Sequence, residues 1–255
     1  MDSNQTINSV LKASEILICL CRGERKVTDI ARKLKYGKTA VFRALNSFEK
    51  KGLVVKDEVT HQYFPGPFLQ ALAIDTSNVH DILVHVASEE METLCHAVDE
   101  TITLVIPNGA QWFSIKVVHA YQQFALPAKA GETGPIYIGA LGKVLLSQFS
   151  DTDLNLLMAR IKLTAFTHTT TTDKLVLLEE IKNVRKEGYC ITFSEYLEGG
   201  AAIGVPITNY SCPVALCTVG FESGLTKKTE LIIKHLKESR SKIEARLEVI
   251  ASSSR

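Results

Sequence analysis

With 255 residues, 45% of them hydrophobic and 22% charged, the chain has the makeup of a globular protein, either one large domain or two ordinary ones. Its formal charge of +1 excludes a uniformly basic or acidic protein, but the charge is unevenly spread. Residues 22–56 hold eleven Lys and Arg against three Asp and Glu; a compact cationic segment on a balanced chain points to a polyanion partner, although charge alone favours a solvated helix face. The six cysteines show no CxxC pair or metal-type spacing, which fits buried, reduced thiols. The polar start "MDSNQTINSV" lacks the basic and apolar regions of a signal peptide, and no apolar run approaches the ~20 residues needed to span a bilayer. A cytoplasmic protein without membrane contact is expected.

In chain order, "SVLKASEILICLC" carries a helical stripe of Val10, Ala13, Ile16, Leu17 and Leu20. A second short helix follows in "VTDIARKL", with Thr28 placed to cap its N-terminus. After the turn "KYG", the segment "KTAVFRALNSFEK" sets Val41, Ala44, Leu45 and Phe48 on one helical face. Thr39, Arg43, Asn46 and Lys50 fall on the opposite face, within about 60° of one another. Gly52 suits the end of this helix. "LVVKDEVTHQYFPG" predicts two short strands joined near Asp57–Thr60. Three short helices and a hairpin, the third helix cationic, describe a winged helix-turn-helix whose third helix enters the major groove. Arg43 has the fork for guanine and Asn46 the amide for adenine. Lys38 and Lys50 suit phosphates, and Thr39 and the methyl of Ala40 sit where a helix start meets base edges.

The boundaries expected are a DNA-binding domain at 1–66, a linker helix at 67–78 and a second domain at 79–255. A helix at about 78–98 carries Val79, Ile82, Leu83, Val86, Leu94 and Val98 on one stripe. Beyond it, "TITLVIPNGAQWFSIKVV" predicts two strands around a Pro-Asn-Gly turn. Helices at "GALGKVLLSQF" and "DKLVLLEEIKNVRKEG" follow, then strands at "YCITFSEY", "AAIGVPI" and "VALCTVGF", then a closing helix. The fold class is α+β with an antiparallel sheet.

Enzymatic signatures are missing. "GPIYIGALGKV" fails as a phosphate loop, because Tyr137 stands where the first Gly is needed, five positions before Gly142, and Val144 replaces the Ser or Thr. His80 and His85 are five apart, off a single helical face, and Cys190 and Cys217 have nothing nearby to lower a thiol pKa. Two weaker features remain. Gly139 and Ala140 open a helix whose N–H groups suit a carboxylate. The Gly-Gly of "EYLEGGAAIGVPI" forms either a hairpin connection or a backbone wall against a ligand.

Four blocks in order, "VTDIARKLKYGKTAVFRALNSFEKKGLV", "IYIGALGKVLL", "LEEIKNVRKEGYCITFSEYLEGGAAIGVPI" and "PVALCTVGFESGLT", resemble the IclR family of bacterial transcriptional regulators. The resemblance covers almost the whole chain. It implies a GAF-like effector-binding second domain and dimers that often pair into tetramers on a pseudo-palindromic operator. It further implies control of catabolic genes by a small organic acid; a repressor without a cofactor is expected. The resemblance implies Lys38, Thr39, Ala40 and Arg43 as DNA-binding residues, and with the helix-face reading the full set expected is Thr28, Lys38, Thr39, Ala40, Arg43, Asn46 and Lys50. The effector pocket implied comprises Tyr137, Gly139, Ala140, Thr192, Ala202, Cys217 and Val219. Several of these depart from the family pattern: Tyr137 stands for a His, Thr192 for an acid, Ala201-Ala202 for Arg-Cys, and Cys217 and Val219 for serines. With those polar groups gone, an acid with an aromatic or hydrophobic portion is expected. The rival readings are an enzymatic second domain and a regulator that answers to no ligand.

Overall fold

The computed structural model describes residues 7–69, 80–121, 126 and 128–253. It divides into two compact units, Met1–Val79 and His80–Arg255. Of the connecting helix expected at 67–78, only Pro67–Leu69 fall among the described residues, and they are helical.

In the first unit α1 spans Asn8–Cys21, α2 Val27–Leu34 and α3 Lys38–Glu49, followed by β1 (Val54–Lys56) and β2 (Tyr63–Pro65). The core is small: Ile16, Cys19 and Leu20 of α1 meet Ile30, Ala31, Val41, Leu45, Val54 and Tyr63. Each fully buried aliphatic side chain here contributes about 1.5–3 kcal/mol. Val10, expected on the buried stripe of α1, is instead exposed, and Cys19 takes a core place. Thr28 is not a cap: Lys26 holds the N-cap position of α2 and makes no side-chain bond there. The three-residue turn between α2 and α3 is real. Lys35 adopts the left-handed conformation (φ 57°), the Tyr36 N–H closes on the Ala31 carbonyl at 3.0 Å, and Gly37 starts α3 in an extended conformation. Strands β1 and β2 pair antiparallel, and the Tyr63 N–H donates to the Arg25 carbonyl at 2.8 Å, tying the hairpin to the start of α2.

The second unit begins with α4 (Asp81–Val98), then β3 (Thr101–Asn108), β4 (Gln111–Val118), β5 (Thr133–Pro135) and α5 (Gly139–Leu146). Next come α6 (Asp151–Arg160), α7 (Lys174–Glu187), β6 (Cys190–Phe193), β7 (Gly200–Ile207), β8 (Val214–Phe221) and α8 (Glu222–Ser253). Helix α6 and strand β5 were not foreseen. The six strands form one antiparallel sheet in the order β5-β4-β3-β8-β7-β6. Because side chains alternate along a strand, Ile102, Leu104 and Ile106 of β3 and Ile203, Val205 and Ile207 of β7 face α4 and α8. Val105, Ala202, Ala215, Cys217 and Val219 face the opposite way, with α5 among their neighbours. On α4, Ala87, Met91 and Cys95 join the core while Ile82 is exposed; Val79 lies outside the described residues. Among the described residues no helix is long and apolar enough to cross a membrane.

Candidate DNA interface and effector cavity

The two units carry separate candidate sites. On α3, Val41 and Leu45 are fully buried while Lys38, Thr39, Ala40, Arg43 and Lys50 are exposed. Asn46 sits half-buried at the edge of that face, its carbonyl oxygen 3.5 Å from the Tyr63 hydroxyl. Thr28 is exposed on the neighbouring helix. Ion pairing sorts the cations. Arg32 pairs with Asp29, Lys33 with Glu24 at 2.9 Å, and Lys56 with Glu58 at 2.9 Å. Arg25 donates to the Leu20 carbonyl at 2.7 Å and lies over the Phe64 ring. Among the described residues Lys38, Arg43 and Lys50 have no acidic partner, and neither have Arg22, Lys26, Lys35 and Lys51, so the cations on and around the third helix are uncompensated.

The start of α3 adds to this. Its N-cap, Gly37, offers no side-chain acceptor, and its first turn contains no acid. By contrast Ser150 caps α6 and Asp173 caps α7. Free N–H groups and the positive end of the helix dipole beside Lys38 make this terminus suited to a phosphate oxygen.

The second unit encloses a cavity of about 460 Å³ on the α5 side of the sheet, a size typical of small-molecule sites. Gly139, Thr192, Ala202 and Val219 line it, four of the seven pocket residues expected from the sequence. The other three do not. The Tyr137 hydroxyl accepts the Thr164 N–H at 2.9 Å and donates to the Thr164 carbonyl at 3.0 Å, and its ring packs in a separate core with Leu146, Leu154 and Leu177. Ala140 and Cys217 are fully buried beneath the cavity, in the layer between sheet and α5. Gly204 has no room for a side chain, since a Cβ there would lie 2.5 Å from the Cys217 sulfur. The Gly199-Gly200 segment is the hairpin connection between β6 and β7, and Gly200 also lines the cavity.

The helix-terminal N–H groups, expected to be open to a ligand carboxylate, are already engaged. The Gly139 N–H donates to Glu195 Oε2 at 3.1 Å, and the Ala140 N–H donates to Thr192 Oγ1 at 2.9 Å. Glu195 also accepts from the Lys143 ammonium at 2.5 Å through its other oxygen. Lys143, only 2% exposed, lies 3.0 Å from Glu180 as well, an ion pair without good hydrogen-bond direction. Burial works against the Lys143 charge, but the Glu195 and Glu180 carboxylates outweigh it and hold the pKa above the ordinary lysine value. Glu195 is itself fixed, its carbonyl accepting from Thr170 at 2.6 Å. The signal for this cluster was present in the sequence: a lone lysine in the apolar run "GALGKVLL" needs buried acids around it.

Aromatic rings supply much of the remaining wall. Trp112 meets Tyr196 edge-on with centroids 5.9 Å apart, and Phe166 stacks on Tyr196 at 5.6 Å. None of these rings was singled out from the sequence. At the floor, the Thr103 and Ser114 hydroxyls hydrogen-bond each other at 2.8 Å. Burial pushes the Cys190 thiol up to about 12 and raises that of Cys217 well above the ordinary value, so neither is a nucleophile near neutral pH.

Comparisons with known proteins agree with both halves of this description. Residues 9–58 match the IclR helix-turn-helix domain, and residues 76–245 match the bacterial transcriptional regulator IclR C-terminal domain. The regulator KipR of Bacillus subtilis is 29% identical over 194 residues, 74% of this chain and 76% of that protein. The regulator KdgR of Escherichia coli is 25% identical over 206 residues, 79% of this chain and 77% of that one. In fold, the chain is similar to the crystal structure of Thermotoga maritima IclR (TM-score 0.63, 24% identity, 95% and 99% of the two chains). It is likewise similar to an IclR-family regulator from Rhodococcus sp. (TM-score 0.74, 18% identity, 96% of each). The relatives are named as transcriptional regulators rather than enzymes. A helix-turn-helix with unpaired cations on its third helix, a family model matching more than half the chain and a shared fold lead to one conclusion: this chain belongs to the IclR family of DNA-binding transcriptional regulators.

Proposed function

We propose that the protein is a repressor of catabolic genes, acting in the cytoplasm as a dimer or tetramer on a pseudo-palindromic operator. A small organic molecule with a hydrophobic or aromatic portion, held in the 460 Å³ cavity, modulates its operator affinity. The observation that carries the DNA half is the α3 face. Arg43 is exposed and unpaired among the described residues and stands one turn from the uncapped helix start. Docked in the major groove, it reads a base, with Thr39 and Ala40 at the base edges, while Lys38 and Lys50 hold backbone phosphates. One such helix covers too few bases to be selective, so two copies read half-sites about one helical turn apart, or a multiple of it. Residues 67–78 link the two units in this scheme.

The aromatic wall and small side chains at Ala202 and Gly200 favour an effector with a sizeable apolar body. Burial of such a body contributes about 25 cal/mol per Å². A small organic acid fits this site only if its carboxylate replaces Glu195 on the Gly139 N–H and on Lys143. The test of the DNA reading is Arg43→Ala, assayed on the operator upstream of a neighbouring gene. Specific affinity should fall by about 1–3 kcal/mol with the fold intact. Unchanged affinity would remove α3 from the recognition role, and a stable monomer that still binds the operator would remove the assembly.

A further inference from the structure

We propose that the cavity of the second unit takes an organic cation, an ammonium group carrying an aromatic or branched apolar body, rather than an acid. This rests on the reading that the cavity is the effector site, and it assigns the charge of the ligand.

The charged groups that line the cavity are Glu132 and Glu195, and no Lys, Arg or His is among its described lining residues. The cation behind the wall, Lys143, is sealed from the cavity and shared between Glu195 and Glu180. That cluster therefore carries one excess negative charge, and Glu132 adds another. Glu132 has no ion-pair partner among the described residues; it accepts the Lys129 backbone N–H at 3.2 Å. The dipole of α5, the feature that would draw an anion, ends on Glu195 and Thr192. An incoming carboxylate thus meets two carboxylates, with no donor of opposite charge among the described lining residues.

The rings complete the case. Trp112 meets Tyr196 edge-to-face at 72°, Phe166 stacks on Tyr196, and all three rings line the cavity. The faces of such rings are electron-rich and attract alkylammonium groups, Trp most strongly. Glu132 lines the same cavity as these rings, and burial first, then the Glu132 charge, raises the Tyr196 phenol pKa. Carboxylates and aromatic rings lining one cavity are the chemistry that binds an ammonium. The Thr192, Thr103 and Ser114 hydroxyls along the floor provide neutral partners for the rest of the ligand.

The protein contains a single tryptophan, Trp112, and it lines the cavity, so its emission reports occupancy of this site directly. Three probes of nearly the same shape separate the charge states: 2-phenylethylamine, 2-phenylethanol and phenylacetate, titrated into the full-length protein at pH 7. The amine should half-saturate the Trp112 emission change at a concentration at least tenfold below that of phenylacetate. In Glu132→Gln the half-saturation point of the amine should rise at least threefold while that of the alcohol stays where it was. Binding of phenylacetate as tightly as the amine, or an amine titration unmoved by Glu132→Gln, overturns the charge assignment and leaves the cavity as an effector site. Failure of all three probes to change the emission overturns both.

Discussion

Lys143 and Glu195 meet at 2.5 Å across the N-terminal end of α5, and the same carboxylate receives the Gly139 N–H. One glutamate thus neutralises a buried ammonium and caps a helix. Lys143→Met leaves Glu195 and Glu180 without their cation and should destabilise the second unit by about 3–5 kcal/mol, read as the urea midpoint of Trp112 emission. Adding Glu195→Gln should restore part of that loss, because the stranded charge is then removed. Since the folded pKa of Lys143 lies above its ordinary value of 10.5, its contribution is fully present below that pH and is lost as pH rises through the folded value. An unchanged urea midpoint in Lys143→Met would show that the pair adds nothing.

Gly142 of α5 packs closely against the backbone that leads into the helix. A Cβ there would lie 2.0 Å from the Ile136 carbonyl oxygen, a backbone atom with no freedom to move away. Gly142→Ala should therefore cost about 3 kcal/mol or more, by the same urea measurement. A loss below about 1 kcal/mol would mean that α5 shifts at little cost.

The salt dependence of operator binding tests the division of labour on α3. Lys38→Ala and Lys50→Ala should each reduce the slope of log affinity against log salt by about 1, equally on specific and random DNA. If either loss is confined to the operator sequence, that lysine reads a base and not a phosphate.

Thiol chemistry should separate the cysteines by burial. Cys21 is exposed, whereas Cys19, Cys95, Cys190 and Cys217 are buried with raised pKa values. Alkylation of the native protein at pH 7.5 should label Cys21 first and leave Cys190 and Cys217 unmodified until the chain is unfolded. Early labelling of Cys217, detected by peptide mass, would show that the layer under the cavity opens in the native state.

Sequence alone determined the parts of this protein that depend on local periodicity. The 3.6-residue spacing of Val41, Ala44, Leu45 and Phe48 defined α3 and its polar face, the "KYG" turn separated it from α2, and alternation defined the strands. These signals are short-range, and each is repeated several times within one element, so they survive without knowledge of neighbours. The tertiary structure decided what depends on which neighbour arrives. Thr28 carries a capping side chain, but the helix begins two residues earlier than such a cap would set it, so Lys26 takes the cap position. Tyr137 belongs to another core, and Cys217 lies under the cavity rather than in it, because strand direction and the packing of α5 set which face each side chain meets. Glu195, Glu132, Trp112, Phe166 and Tyr196 come from separate loops and strands and share no spacing in the chain. The charge of the cavity is therefore a property of long-range contacts, since a carboxylate and a helix N-terminus fifty-six residues apart cancel only when the sheet brings them together.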